Sequence, residues 1–472
     1  HLPRRGLAEL LRVGCCRLCS MAGINPKRAD ELGAIVAPVV FVCPILPPPE
    51  VSGASRGSTH RRTPSRRTRT TMSRQGILLL NLGTPDSDSV ADVRRYLREF
   101  LSDPRVIDLP AAARWALLNF IILPFRPQKS AAAYSKVWTE RGSPLLFHTE
   151  DLAVALQALL GPEVSVKVAM RYGSPTIAAA LDAFAEEGIE RIVALPLFPQ
   201  YASASTGSAA EALMVEAGKR WTVPDLHVLG AFYDHPAFID AVAQVSVDSL
   251  SDVDHVVLSF HGLPVRHCTR TDISGQLCSQ RADCCDELVA ANQHCYRAQC
   301  MATARALLTR LDIAADKATV CFQSRLGRTP WIEPYTDHVL KELATAGVKR
   351  IAVLEPSFTA DCLETLEEIG IRGRADFLAA GGEQLVLAPC VNASAVWVAA
   401  LADLLRERVP GLPAAVAAPA ISVVPQATTA PETADADEMS EAHEMGEAHE
   451  TAGAAHRGAS TQGASSASPA AG

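Results

Sequence analysis

Between residues 75 and 408, short aliphatic runs alternate with longer amphipathic stretches. GILLLNL (76–82) is apolar throughout, as expected of a strand buried on both faces, and GTPDS (83–87) supplies the turn after it. Similar runs recur at Val164–Met170, Ile189–Leu197 and Leu226–Leu229, and again at 254–260, 318–324, 349–354 and 384–388. Val93, Tyr96, Leu97, Phe100 and Leu101 recur at helical spacing behind Asp88 or Ser89, either of which can cap the helix. Further helices are predicted at 145–160, 175–187, 206–220, 236–250, 285–311, 336–346, 361–370 and 394–408. Such alternation predicts an α/β fold with two similar Rossmann-like domains, 75–250 and 251–408. Each would have a parallel sheet, with an active-site cleft between them. No strand is followed by a full G-x-G-x-x-G, which disfavours a nucleotide.

The ends depart from this pattern. Residues 1–74 form an Arg-rich leader, and 56–71 have almost no apolar side chains, so the stretch is expected to be disordered. It reads either as a transit peptide or as dispensable sequence ahead of a start at Met72. The cluster of arginines has no folded reader beside it, and nucleic acid is not an expected partner. Residues 409–472 are Ala-, Pro-, Ser- and Glu-rich and are expected to be a solvated tail; His443, His449 and His456 there could capture metal only weakly. A net charge of −8 over 472 residues excludes nothing further.

WALLNFIILPF (115–125) is a long apolar block between Arg114 and Arg126. It is too short to span a bilayer, which takes roughly 20 apolar residues. It is either a core helix or an exposed lip for a membrane surface or a greasy substrate.

Two stretches carry candidate chemistry. His261 ends the strand DHVVLSFH and is followed by Gly262 and Pro264, which stop the strand. Chemistry in open parallel sheets collects at such strand ends, and an imidazole there is either a proton acceptor or a satisfied structural histidine. TADCLETLEEIG (359–370) sets Glu364 and Glu368 four apart on one helix face, with Asp361 on nearly the same side. The stripe is either a solvated acidic turn or a place for proton or cation transfer.

Of the thirteen cysteines, six lie between Cys268 and Cys300: Cys268, Cys278, Cys284, Cys285, Cys295 and Cys300. A reducing cytosol disfavours disulfides. Cys295-x4-Cys300 suits structural zinc, and a [2Fe–2S] cluster takes four thiolates.

SFHGLP (259–264) resembles the signature of the ferrochelatase family, whose members insert ferrous iron into a porphyrin. GILLLNLGTPDS, YSKVWTERGSPL (134–145), AMRYGSP (169–175), LFPQYASASTGS (197–208), QSRLGRTPWIEPYTD (323–337) and the acidic segment are similar to family stretches in the same order. The resemblance implies that His261 accepts pyrrole protons and that Glu364 is the key glutamate, with Glu368 and Asp361 leading away from it. It makes His261 and Glu364 candidate ligands of the Fe2+ substrate, and it implies that the acidic helix is partly π-type. Arg171, Tyr172, Arg114, Arg126 and Trp331 become candidates for holding the porphyrin, the arginines by pairing with its propionates. The implied reaction is conversion of protoporphyrin IX to protohaem, the last step of haem synthesis, with porphyrin and ferrous iron as partners. The implied place is the cytoplasm, with peripheral contact to the inner membrane through Trp115–Phe125. A coproporphyrin ferrochelatase, a cobalt chelatase and a porphyrin- or haem-binding redox sensor are the alternatives.

Against the family, 265–300 is a cysteine-rich insert. Some bacterial relatives hold a [2Fe–2S] cluster in such an insert, which implies Cys268, Cys278, Cys285 and Cys295 as ligands here, with zinc as the runner-up. Cys300 is left out because some cluster-free relatives also have it, and Cys284 because adjacent ligands to one iron would strain one another.

Overall fold

A computed structural model describes residues 74–413 apart from 279, 281–282 and 326–328. The expectations for the Arg-rich leader up to residue 73 and for the tail from 414 lie outside the described residues.

The first half builds a parallel sheet from β1 (Gln75–Thr84), β2 (Val164–Gly173), β3 (Arg191–Pro196) and β4 (Asp225–Val228), in the order β2-β1-β3-β4. The second builds one from β5 (His255–His261), β6 (Ala318–Gln323), β7 (Arg350–Leu354) and β8 (Gln384–Leu387), in the order β6-β5-β7-β8. The two orders are the same permutation, as the repeated hydrophobic rhythm predicts. β1 is central, and its aliphatic run is fully buried: Ile77 and Leu79 point to one core, Leu78 and Leu80 to another, as the period of a strand requires. Gly83 closes β1 at φ +113°, where an added Cβ would meet the Tyr172 carbonyl oxygen at 1.8 Å, so only glycine fits.

α1 (Val90–Ser102) begins at Ser89, whose hydroxyl accepts from the Asp92 amide. The apolar block forms α2 (Ala111–Leu117), a π turn (Leu118–Ile122) and the start of α3 (Leu123–Val137). The half is completed by α4 (Pro144–Leu160), α5 (Ile177–Glu186), α6 (Ser208–Gly218) and α7 (Pro236–Ser246). The second half carries α8 (Val265–Thr269), α9 (Tyr296–Leu311), α10 (Thr336–Thr345), a π-helix (Glu364–Gly373), α11 (Arg374–Ala379) and α12 (Ala395–Arg408).

One apolar core joins the inner faces of both sheets, from Ile77 and Leu79 to Leu258 and Phe260. α12, although last in the chain, packs back on α4 and α7 of the first half. There Trp397 meets Phe232 and Phe238 at ring-centroid distances of 5.9 and 5.7 Å. The boundary expected near residue 250 is therefore crossed by the final helix. Truncating Trp397 to Ala would cost about 3–5 kcal/mol, since it is fully buried.

The helix predicted at 285–311 forms only from Tyr296. Asn292 explains the difference: its side-chain amide donates to the carbonyls of Cys284 (2.9 Å) and Glu287 (2.8 Å), and its oxygen accepts from the Val289 amide (2.7 Å). These bonds take backbone groups a helix would need.

Candidate functional site

His261 ends β5 opposite Gln323 of β6. Its Nδ1 lies 2.7 Å from the Gly262 carbonyl oxygen. A carbonyl can only accept, so Nδ1 carries the proton and the neutral ring keeps its lone pair on Nε2. The turn beyond is tight: the Gly262 amide donates to the Gln323 carbonyl at 2.7 Å, and a Cβ on Gly262 would come 2.7 Å from that same oxygen.

The acidic segment folds as the π-helix that the resemblance implies, starting at Glu364. Gln323 joins it to β5: its amide donates to the Glu364 carbonyl at 2.9 Å, and its oxygen accepts from Ser259 at 2.5 Å. Glu368 accepts from both the amide (2.9 Å) and the hydroxyl (2.5 Å) of Ser324. Burial raises the Glu368 carboxyl above its ordinary value, while Ser324, Arg372 and the nearby His261 pull it back. His261 and Glu368 thus share one electrostatic environment at the carboxyl ends of the second sheet. The first half closes on this helix through Lys136, 3.4 Å from Glu367. Buried Tyr96 and Tyr134 also feel the Glu364 charge, which adds to desolvation in raising their hydroxyls.

Asp361 does not share the helix stripe. It precedes the helix and is buried, accepting from the side-chain amide of Asn392 (2.7 Å) and the amide of Cys390 (3.2 Å). Asn392 comes from the loop after β8, so nothing near Asp361 in sequence predicts this grip. Four further residues escape sequence reasoning: Gln323, Ser324, Tyr296 and Glu355. Glu355 follows β7, is 5% exposed, and neither carboxyl oxygen has a hydrogen-bond partner among the described residues. Burial pushes its carboxyl well above the ordinary range; the nearby Gln323 side chain opposes this, and the charges of Glu368, Asp361 and Glu364 add to it.

The candidates for holding the porphyrin separate. Arg171 and Tyr172 turn inward: the guanidinium reaches Asp103 at 2.7 Å and Ser208 at 2.6 Å, and the Tyr172 hydroxyl donates to Asp103 at 2.9 Å. Tyr172 is fully buried and braces the first half, while the Arg171 side chain stays partly exposed beside its Asp103 partner. Arg114 donates to the carbonyl of Leu109 at 2.8 Å, whereas Arg126 is exposed beside the lip. Trp331 packs by Gly262 and also lines the thiol cavity described next. The apolar block is not a core helix: Trp115, Phe120, Ile121 and Phe125 are 60, 65, 60 and 73% exposed. Among the described residues, no helix is long and apolar enough to cross a membrane.

Beside the base, Cys268, Cys278, Cys284, Cys285 and Cys295 line a single cavity of about 370 Å3 together with Arg297 and Trp331. A hydrogen bond with Cys268 pushes the Cys295 thiol up to about 12, and one with Cys295 pushes Cys285 higher still. The Cys284 and Cys285 sulfurs lie 3.7 Å apart. Among the described residues no group of three or more His, Cys, Asp or Glu side chains is placed to hold a metal ion, and these cysteines are free thiols. Cys300 lies within α9, fully buried, and does not line the cavity, which removes the spacing argument for zinc through Cys295 and Cys300.

Known proteins share this chain's pattern along the folded body. A profile described as Ferrochelatase matches residues 74–409. A ferrochelatase of Legionella pneumophila (strain Corby) is 45% identical over 336 residues, covering 71% of this chain and 100% of the relative. One of Coxiella burnetii (strain CbuK_Q154) is 43% identical over 334 residues, covering 70% of this chain and 93% of the relative. Among solved structures, SirB from Bacillus subtilis with Fe3+ aligns at a TM-score of 0.38 and 14% identity, over 71% of this chain and 95% of that one. On the profile and these identities, the chain belongs to the ferrochelatase family.

Proposed function

We propose that this chain inserts ferrous iron into protoporphyrin IX to give protohaem, releasing two pyrrole protons. The observation that carries this reading is the contact of His261 Nδ1 with the Gly262 carbonyl oxygen at 2.7 Å. With Nδ1 donating to Gly262, Nε2 is the atom able to take a proton. Glu364 and Glu368 lie partly buried on one π-helix, near enough to feel one another's charge, to carry protons away or hold iron before transfer. Each pyrrole proton moves to a base, the ring nitrogens become anionic, and Fe2+ neutralises the two charges gained. The exposed lip supplies apolar surface for a flat macrocycle and for peripheral contact with a membrane.

The test is anaerobic insertion followed spectroscopically, with iron or cobalt and with protoporphyrin or coproporphyrin. Haem formed fastest from protoporphyrin and iron supports the reading. A faster reaction with coproporphyrin or cobalt reassigns the substrate, and porphyrin binding without insertion makes the chain a sensor.

That Cys268, Cys278, Cys285 and Cys295, four soft donors, line one cavity supports a [2Fe–2S] cluster there, which they would hold only after drawing together, since as they stand no three of the described side chains surround one ion. Cys284 shares the wall. Bound there, the cluster supplies a redox-sensitive structural centre. Brown protein with iron and sulfide in equal amounts supports it; colourless protein with stoichiometric zinc makes the cavity a zinc site.

A further inference from the structure

β7 ends at Leu354, which pairs with Leu258, so β5 runs on past its neighbour to His261. The polar backbone groups of His261 are met by side chains instead. Ser357 Oγ accepts from its amide at 3.1 Å, and the Tyr296 hydroxyl donates to its carbonyl at 2.8 Å. Tyr296 is buried and is the first residue of α9. The residue before it, Cys295, is the N-cap of α9 and part of the thiol wall.

The same loop meets the cavity on its other side. A Cβ on Gly262 would lie 3.3 Å from the Trp331 ring, which lines the cavity. The Ile332 amide donates to Leu263 at 2.9 Å and the Val265 amide to Pro330 at 3.0 Å. Val265, Pro330, Trp331 and Ile332 all line the cavity. α8, which carries Cys268, is anchored at its far side where Arg266 Nε donates to both oxygens of Asp108 at 2.9 Å. Cys295 beside Tyr296, and Trp331 beside Gly262, thus join the cavity wall to the loop 261–264 on two sides.

We infer that Tyr296 is a positioning residue for His261, through which whatever fills the thiol cavity sets the orientation of the base. The inference rests on the chelatase reading for its activity arm and on geometry alone for its structural arm. Replacing the phenol by phenyl removes one hydroxyl and leaves the packing of the ring.

The test compares the full chain with Tyr296→Phe, Cys285→Ser and the double variant. The readouts are hydrogen exchange of the peptide 255–264, metal content, and insertion kinetics. Tyr296→Phe is expected to keep the metal content of the wild type and to speed exchange at 259–262 by about tenfold, the scale of one buried hydrogen bond. It should lower kcat by about the same factor, with KM for the porphyrin unchanged. Cys285→Ser is expected to lose metal and show the same faster exchange, and the double variant should go no further than either single. Wild-type exchange and kcat in Tyr296→Phe, or effects that multiply in the double variant, would overturn the inference. A wild type that carries no metal yet turns over at full rate overturns the coupling to the cavity. A wild type that inserts no metal into any porphyrin defeats the chelatase reading, and the exchange comparison still decides the role of Tyr296.

Discussion

Ser324 holds both carboxylate oxygens of Glu368, one by its amide and one by its hydroxyl. It does so from a left-handed backbone, φ +66°, which a serine adopts only when its surroundings repay it. The hydroxyl bond favours the ionised carboxylate against the burial that opposes it. Ser324→Ala is therefore expected to raise the Glu368 pKa further. If Glu368 works as an ionised acceptor, the acid limb of the kcat profile moves to higher pH while the alkaline limb stays in place. A pH series on the purified variant checks this, and an unmoved acid limb removes Glu368 from the proton path.

On the proposed reading, His261 and Glu364 should respond differently from residues that brace the fold. His261→Ala is expected to lower insertion by about 10²–10⁴-fold, the usual reach of general base catalysis, with porphyrin affinity largely retained. Glu364→Gln should depress turnover with its melting temperature little changed, since Glu364 is only partly buried. Fluorescence titration with porphyrin and single-turnover insertion separate binding from chemistry.

Glu355 makes a stability prediction with a definite sign. Its folded pKa is raised, so the native state holds a proton that the unfolded chain gives up above the ordinary carboxyl range. Stability from this group is full below the unfolded pKa and falls as pH rises toward the folded value. Glu355→Gln, neutral in both states, should melt close to wild type near pH 4 and above it at pH 8. Calorimetry at the two values gives the answer, and an equal shift at both would mean that Glu355 is ionised inside the fold.

The lip predicts a surface phenotype. Phe120 and Phe125 are among its most exposed side chains, and burying a phenylalanine in an apolar phase is worth about 1.5–3 kcal/mol. The double substitution Phe120→Ser, Phe125→Ser should weaken binding to phospholipid vesicles by more than tenfold and leave thermal stability intact, as neither side chain supports the core. Co-sedimentation with vesicles measures it.

Which features could be read ahead of the structure follows from how local their causes are. The strands were legible because burial on both faces leaves an unbroken aliphatic run, as in Ile77–Leu80. His261 was legible because a strand end beside Gly262 is written in adjacent residues. Gln323, Ser324 and Tyr296 were not, because their importance arises from the register of β5 on β6 and from where α9 begins. Asp361 misled for the same reason: its partner Asn392 lies thirty-one positions on. The region 285–295 misled because Asn292 competes for the backbone in a way composition does not reveal. That Arg171 pairs with Asp103 was likewise not legible, because the two lie sixty-eight positions apart.

The shared strand permutation has an asymmetric outcome. β1 finishes in Leu82, Gly83 and Thr84, none of them ionisable, while its counterpart β5 finishes in an imidazole. Every proton-handling group named above on β5, β6 and the π-helix rides on one copy of the duplicated frame, and the greasy rim rides on the other. Substitution along the rim alters the surface of one copy, while the spacing of His261, Gln323 and Glu368 is fixed by strand register and side-chain bonds within the other.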